Sequence, residues 1–168
     1  MNLPAFVEPH KLCDTQQEIQ GQIELAKLPG LCSYLQSDAG DVFIRLQFQR
    51  NYTSYPLVTG QISTNDLPMI CQRCLNLAAF QLQVEVNLAI VSLDQQLDEL
   101  PVKQDFWILN EERIELVELI DHELMLNLPI IAYHPNCKVQ TDYGNNTAMK
   151  SEIQINPFSA LRQLLSKD

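Results

Sequence analysis

The stretch Cys71-Gln72-Arg73-Cys74-Leu75, with the run 78–91 that follows it, decides how this chain is read. Its first part is a CxxC knuckle, in which one turn presents two thiols to a single metal ion or joins them in one disulfide. In the second part Phe80, Leu82, Val84, Val86 and Leu88 alternate with Gln81, Gln83, Glu85 and Asn87. A period of two predicts a half-buried β-strand.

Upstream, the pattern continues. Ile19, Ile23 and Leu25 predict a first strand over 18–25, with Pro29-Gly30 as its turn. Val42, Ile44, Leu46 and Phe48 alternate with Arg45, Gln47 and Gln49, a second strand. Leu57, Val58 and Ile62 around Gly60 predict a third, with a bulge or close backbone approach at the glycine. Residues before Thr15, with Pro4 and Pro9, read as a lead-in arm, and Phe106–Leu109 as a short closing strand or apolar plug.

Downstream, Asn110 is a good helix N-cap, and Glu111 and Glu112 stand where the helix dipole favours negative charge. Ile114, Val117, Ile120, Leu124 and Leu128 recur at intervals of three and four, and Pro129 stops the helix. The segment 134–152 is polar and turn-rich. Asn156-Pro157 then supplies a cap and a first-turn proline for a short terminal helix bearing Phe158, Leu161, Leu164 and Leu165. The expected fold is α+β: an antiparallel β-sheet, curled towards a barrel and covered by one long amphipathic helix over 111–128. Residues 1–135 are expected to form one domain, 136–155 a mobile loop, and 156–168 a C-terminal helix of that domain.

Length and composition narrow the classes. With 168 residues, 46% hydrophobic and 19% charged, the chain suits one globular domain with a sizeable core. No apolar run approaches the roughly 18 residues of a membrane span. Residues 1–11 lack a basic segment followed by an apolar core, so no secretory signal is expected, and the cytoplasm is the expected compartment. Five cysteines are too few and too irregular for a disulfide scaffold. A net charge of −10, from 11 Lys and Arg against 21 acids, disfavours phosphate backbones and favours a basic protein partner.

His134-Pro135-Asn136-Cys137 repeats the two-ligand spacing. Cys71, Cys74, His134 and Cys137 together are a ligand set that suits tetrahedral zinc, provided the fold closes the long gap between the pairs. Two other readings stand beside it: ordinary thiols at a strand end, and a redox pair. A redox CxxC normally opens a helix, whereas a strand pattern follows here. No Gly-rich phosphate loop, GxSxG, Walker or HExxH motif is present, so no enzyme activity is expected and no catalytic residue is assigned.

The ordered blocks Cys71-Gln72-Arg73-Cys74, then the run from Leu116 to Pro129 (LVELIDHELMLNLP), then His134 and Cys137, then Asn156-Pro157-Phe158-Ser159-Ala160-Leu161, resemble the bacterial YceD family. The likeness extends over nearly the whole chain. It implies a small cytoplasmic protein needed for normal accumulation of large-subunit (23S) ribosomal RNA, without a known enzymatic activity. In that family the gene commonly neighbours one for a large-subunit ribosomal protein, chloroplast relatives act on the same RNA, and some members lack the cysteines.

Charge and resemblance together point to a ribosomal protein or ribosome-assembly factor as partner. The acids Asp94, Asp98, Glu99, Glu111, Glu112, Glu115 and Glu118, around one linker and helix start, are the candidate docking patch. Their alternative role is to keep the protein soluble. The rival class is a direct RNA-binding or RNA-processing module, in which Arg45, Arg50 and Arg73 converge and Tyr52 or Tyr55 stacks on a base. A third is a zinc-stabilised interaction domain with another partner.

Overall fold

The computed structural model describes residues 3–50, 56–92, 105–109 and 111–139. The three inner strands β3 (Asp41–Arg50), β4 (Pro56–Thr64) and β7 (Gln83–Ser92) build the sheet on which the rest is hung. Their registers stack inward-facing rows: Ile44 beside Ile62 beside Val84, and Phe48 beside Val58 beside Leu88. Phe48, Leu46, Ile62 and Val42 have no solvent exposure, and each such side chain stabilises the fold by about 1.5–3 kcal/mol. Arg45, between them in sequence, points to water, which is the alternation read as a strand.

Gly60 sits in the row with Leu46 and Val86 at φ +154, and a Cβ there would lie 2.0 Å from the Arg45 carbonyl oxygen. The close approach expected at this glycine is real. Only a residue without a side chain lets β3 and β4 pair here.

Outward, β2 (Glu18–Glu24) pairs antiparallel with β3, and β8 (Asp105–Leu109) pairs parallel with β7. The order is β2-β3-β4-β7-β8, so the sheet is mixed rather than wholly antiparallel. It is also not a closed barrel: β2 and β8 are its two edges among the described residues. Two small pairs complete the strands: β5 (Leu67–Ile70) with β6 (Leu77–Phe80), and β1 (Phe6–Val7) with β9 (Ile114–Glu115). The single run expected over 78–91 is therefore two strands. It breaks at Gln81–Leu82, where the Leu82 N–H donates to the Thr64 hydroxyl.

Three helices are present among the described residues: α1 (Pro9–Asp14), α2 (Pro29–Cys32) and α3 (Leu116–Leu126). The lead-in arm is thus β1 and α1, with Pro9 opening the helix, and Pro29-Gly30 opens α2 instead of making a turn. The long helix expected over 111–128 is shorter. Residues 114 and 115 pair with β1, and the Leu116 N–H donates to Ala5, so strand pairing claims the residues that looked like a first helical turn. Leu116, Leu119, Ile120 and Leu124 form its buried stripe, while Leu126 is 80% exposed. Asn110, the terminal helix over 156–168 and most of the loop over 136–155 lie outside the described residues.

Asp121 locks α3 to α2. Its carboxylate accepts from the Gly30 N–H at 2.8 Å and the Leu31 N–H at 2.7 Å, two donors of a helix start that no intrahelical carbonyl serves. That clamp fixes the middle of α3 to the start of α2.

Candidate metal centre

Cys71, Cys74 and the residues between them form the tip of the β5–β6 hairpin. Ile70 pairs with Leu77, and the six residues between them turn tightly: the Cys71 N–H donates to Asn76, and the Leu75 N–H donates back to Cys71. Leu75 adopts φ 59, a left-handed conformation that turns the backbone after the second thiol. This is a knuckle and not a helix start, so no helix N-terminus acts on the two thiols.

The second half arrives from α3. After Pro129 the chain is pinned to the knuckle by the Gln72 N–H, which donates to the Ala132 carbonyl at 2.8 Å. Arg73 donates through Nη2 to the His134 carbonyl at 2.7 Å, and its guanidinium lies 5.9 Å from the centre of the Tyr133 ring. The result brings all four predicted ligands together. Their ligand atoms lie within 4.8 Å of one another.

The geometry matches a tetrahedral ion. Zinc bonds of about 2.3 Å to sulfur and about 2.05 Å to nitrogen put ligand pairs about 3.8 Å (S–S) and about 3.6 Å (S–N) apart. Here Cys71 Sγ is 3.6 Å from Cys137 Sγ, and Cys74 Sγ is 3.4 Å from His134 Nδ1. The other imidazole nitrogen, Nε2, is 3.0 Å from the Leu77 carbonyl. A proton on Nε2 donates there and leaves the Nδ1 lone pair turned to the thiols, the orientation that ligating histidines need. With an ion bound, these four side chains would close its coordination sphere, the pattern of structural sites.

The electrostatics favour thiolate at Cys71 and oppose it at Cys74. Burial opposes charge on Cys71, but the N–H groups of Cys74, His134 and Arg73 and the Cys74 thiol outweigh it and bring its pKa down to about 5. For Cys74 the Asn76 N–H acts downward, while burial and the neighbouring Cys71 and Cys137 thiols win and raise it. Arg73 donates through Nε to Cys137 Sγ at 2.9 Å, and that contact raises its own pKa. A cluster of three sulfurs thus has one fixed cation against it.

Cys71, Cys74 and Ala78, with Phe80 and Cys137 against them, form a small apolar cluster that meets the main core through Phe80. So small a cluster, on a two-stranded hairpin, supplies little stability of its own. A metal ion here would supply a cross-link between the hairpin and the segment after α3.

The other predicted residues fall elsewhere. Arg45 pairs with Glu18 at 2.5 Å and Arg50 with Asp14 at 2.6 Å, while Arg73 belongs to the thiol cluster. Glu111, Glu115 and Glu118 line one cavity of about 330 Å³ together with Trp107, Ile108 and Arg113. Glu112 is exposed, and Asp94, Asp98, Glu99, Tyr52 and Tyr55 lie outside the described residues. Sequence reasoning missed Asp121, although an acid one turn from Val117 and from Leu124, on an apolar stripe, was its signal. It also placed Arg73 on the wrong neighbours, because nothing local marks an arginine between two thiols as their counter-ion.

No helix among the described residues is long and apolar enough to cross a membrane. No curated protein and no solved structure matches the chain at a significant level. The family model described as large ribosomal RNA subunit accumulation protein YceD matches residues 58–165, a span that contains the whole Cys71–Cys137 cluster and all of α3. The chain belongs to the YceD family.

Proposed function

We propose that this protein is a non-enzymatic cytoplasmic factor that promotes accumulation of 23S ribosomal RNA, and with it ribosome biogenesis, by holding a basic ribosomal protein or assembly factor. The observation that carries the reading is the family match over residues 58–165, whose printed description is large ribosomal RNA subunit accumulation. Zinc at Cys71, Cys74, His134 and Cys137 ties the hairpin to the segment after α3 and serves the scaffold rather than a reaction. A net charge of −10 supports a basic partner. So does the pairing of Arg45 and Arg50 with carboxylates, which takes charge from the side chains an RNA reader would use.

The test is genetic and chemical together. Deleting the gene is expected to lower the 23S to 16S ratio, and the native gene to restore it. Cys74→Ser is expected to restore it poorly and to purify without the zinc that elemental analysis finds in the native protein. Unchanged 23S levels in the deletion strain would overturn the rRNA reading, and a metal-free, fully folded native protein the zinc reading. Affinity purification at low and high salt addresses the partner. Recovery of naked RNA without ribosomal proteins would replace the carrier by a direct RNA binder.

A further inference from the structure

The exposed side of α3 carries an apolar trough that the metal centre does not use. One cavity of about 460 Å³ lies between α3, Tyr34 and the edge strand β8, with Phe106, Trp107, Leu119 and Met125 in its wall. A second, of about 530 Å³, shares Tyr34, Met125 and Leu126 with the first and continues past Leu128 to Ile130. Leu126 is 80% exposed, Tyr34 60%, and Ile130 completely so. Apolar side chains clustered in this way on a free surface mark a place where another surface belongs.

Charge tells which kind of surface. Glu123 lines the first cavity in a partly buried position, and Asp105 at the start of β8 is near enough to repel its carboxylate. Burial first, and Asp105 second, push the Glu123 pKa up, while exposed His122 offers only weak relief. Among the described residues no Lys, Arg or His forms an ion pair with Glu123, and neither cavity is lined by a Lys or Arg. A carboxylate held in an apolar wall, at a cost that burial and a second acid both add to, is complementary to a cation arriving with apolar neighbours.

We propose that the trough along α3 and β8 binds a cationic amphipathic segment of a partner protein, with a Lys or Arg on Glu123 and apolar side chains between Tyr34, Phe106 and Leu126. This rests on the reading of the chain as a carrier of a basic protein and names the surface that does the carrying. Apolar anchors in a groove beside one charged contact are the usual way a groove takes a helix. Here the groove supplies the acid and the apolar walls, and the partner the base.

Trp107, the chain's one tryptophan, lines the first cavity and reports on it directly. Its emission is followed while the full, zinc-loaded chain is titrated with a synthetic amphipathic Leu/Lys peptide. A Leu/Glu peptide and oligolysine serve as controls. A saturable shift is expected with Leu/Lys alone. Glu123→Lys is expected to weaken binding by about tenfold or more, as loss of a charged hydrogen bond does. Glu123→Gln should fall in between. Glu24→Lys, the same charge change on the opposite edge strand β2, is expected to leave binding within about twofold, as a screened surface charge does. Equal losses from Glu24→Lys and Glu123→Lys would reduce the effect to net charge and overturn the proposal. So would oligolysine binding as well as Leu/Lys, a dimer in light scattering that Glu123→Lys dissociates, or a shift in free-chain emission on Phe158→Glu. The last two results would assign the trough to a second copy or to the chain's own carboxyl-terminal segment. The zinc content and 23S level of the same variants are read separately, so a trough that binds nothing in a strain whose deletion still loses 23S RNA refutes this site and leaves the rRNA reading in place.

Discussion

Arg73 Nε stands 2.9 Å from Cys137 Sγ, and through that contact an arginine inside the CxxC knuckle reaches the ligand furthest from it in sequence. The guanidinium compensates sulfur charge and holds the His134 carbonyl with the same fork. Arg73→Ala is expected to leave all four ligands in place and weaken zinc affinity by about 10–100-fold, the usual cost of losing an outer-shell partner. Competition against a chromophoric chelator measures it. An unchanged affinity would return Arg73 to the surface.

Zinc removal should loosen one part of the molecule. The thiol cluster is a small apolar unit that shares Phe80 with the main core. Chelation, or His134→Ala, is therefore expected to speed hydrogen exchange in the turn over 71–76 and in β6 while β3, β4 and β7, and β5 with its core residues Leu67 and Met69, keep their protection. Loss of protection across the whole sheet would show that the metal holds the domain and not the hairpin.

The Asp121 clamp is a packing device with a measurable cost. Asp121→Ala strips a buried acceptor from the Gly30 and Leu31 N–H groups and is expected to destabilise the fold by about 1–3 kcal/mol in urea unfolding. Gly30→Ala acts on the same joint from the other side, because its Cβ would lie 2.6 Å from Asp121 Oδ2 and 2.7 Å from Met125 Sδ.

Gly60→Ala should be among the most damaging single-methyl changes. The added carbon meets the Arg45 carbonyl, a backbone atom that cannot swing aside, in a conformation that L residues avoid. A loss of about 2 kcal/mol or more is expected, with the urea m-value unchanged if the sheet still folds.

Glu123 also sets a pH trend. Its folded pKa is raised above 4.5, so the folded state binds its proton more tightly than the unfolded chain does. Its contribution is therefore favourable below pH 4.5 and is lost as pH rises through the folded value. Glu123→Gln is expected to raise the melting temperature at pH 7 by about 1–2 °C, and the gain should shrink towards pH 4. A gain that stays constant with pH would remove the titration as its cause.

Much of the sheet was legible because its signal is local. A strand with one face in the core must alternate, and Val42-Ile44-Leu46-Phe48 and Val84-Val86-Leu88 do so whatever they pair with. That the Cys71/Cys74 and His134/Cys137 pairs are candidate donors was legible for a similar reason, since a two-residue gap is how a turn offers two of them. The start of α3 was not, because Ile114 and Glu115 suit a helix or a strand equally, and β1, more than a hundred residues earlier, took them.

The sequence by itself determined the α+β class, the inward rows of β3 and β7, the two pairs of candidate donors and the family to which the chain belongs. Tertiary structure alone decided that β8 runs parallel to β7, that Asp121 closes α2 onto α3, that Arg73 faces sulfur and that Glu123 looks into an apolar trough. The division has one cause. Periodicity and ligand spacing are set by the geometry of a few consecutive residues, whereas each of these contacts joins elements distant along the chain, and the free energy that selects them is released only when the core between them is packed.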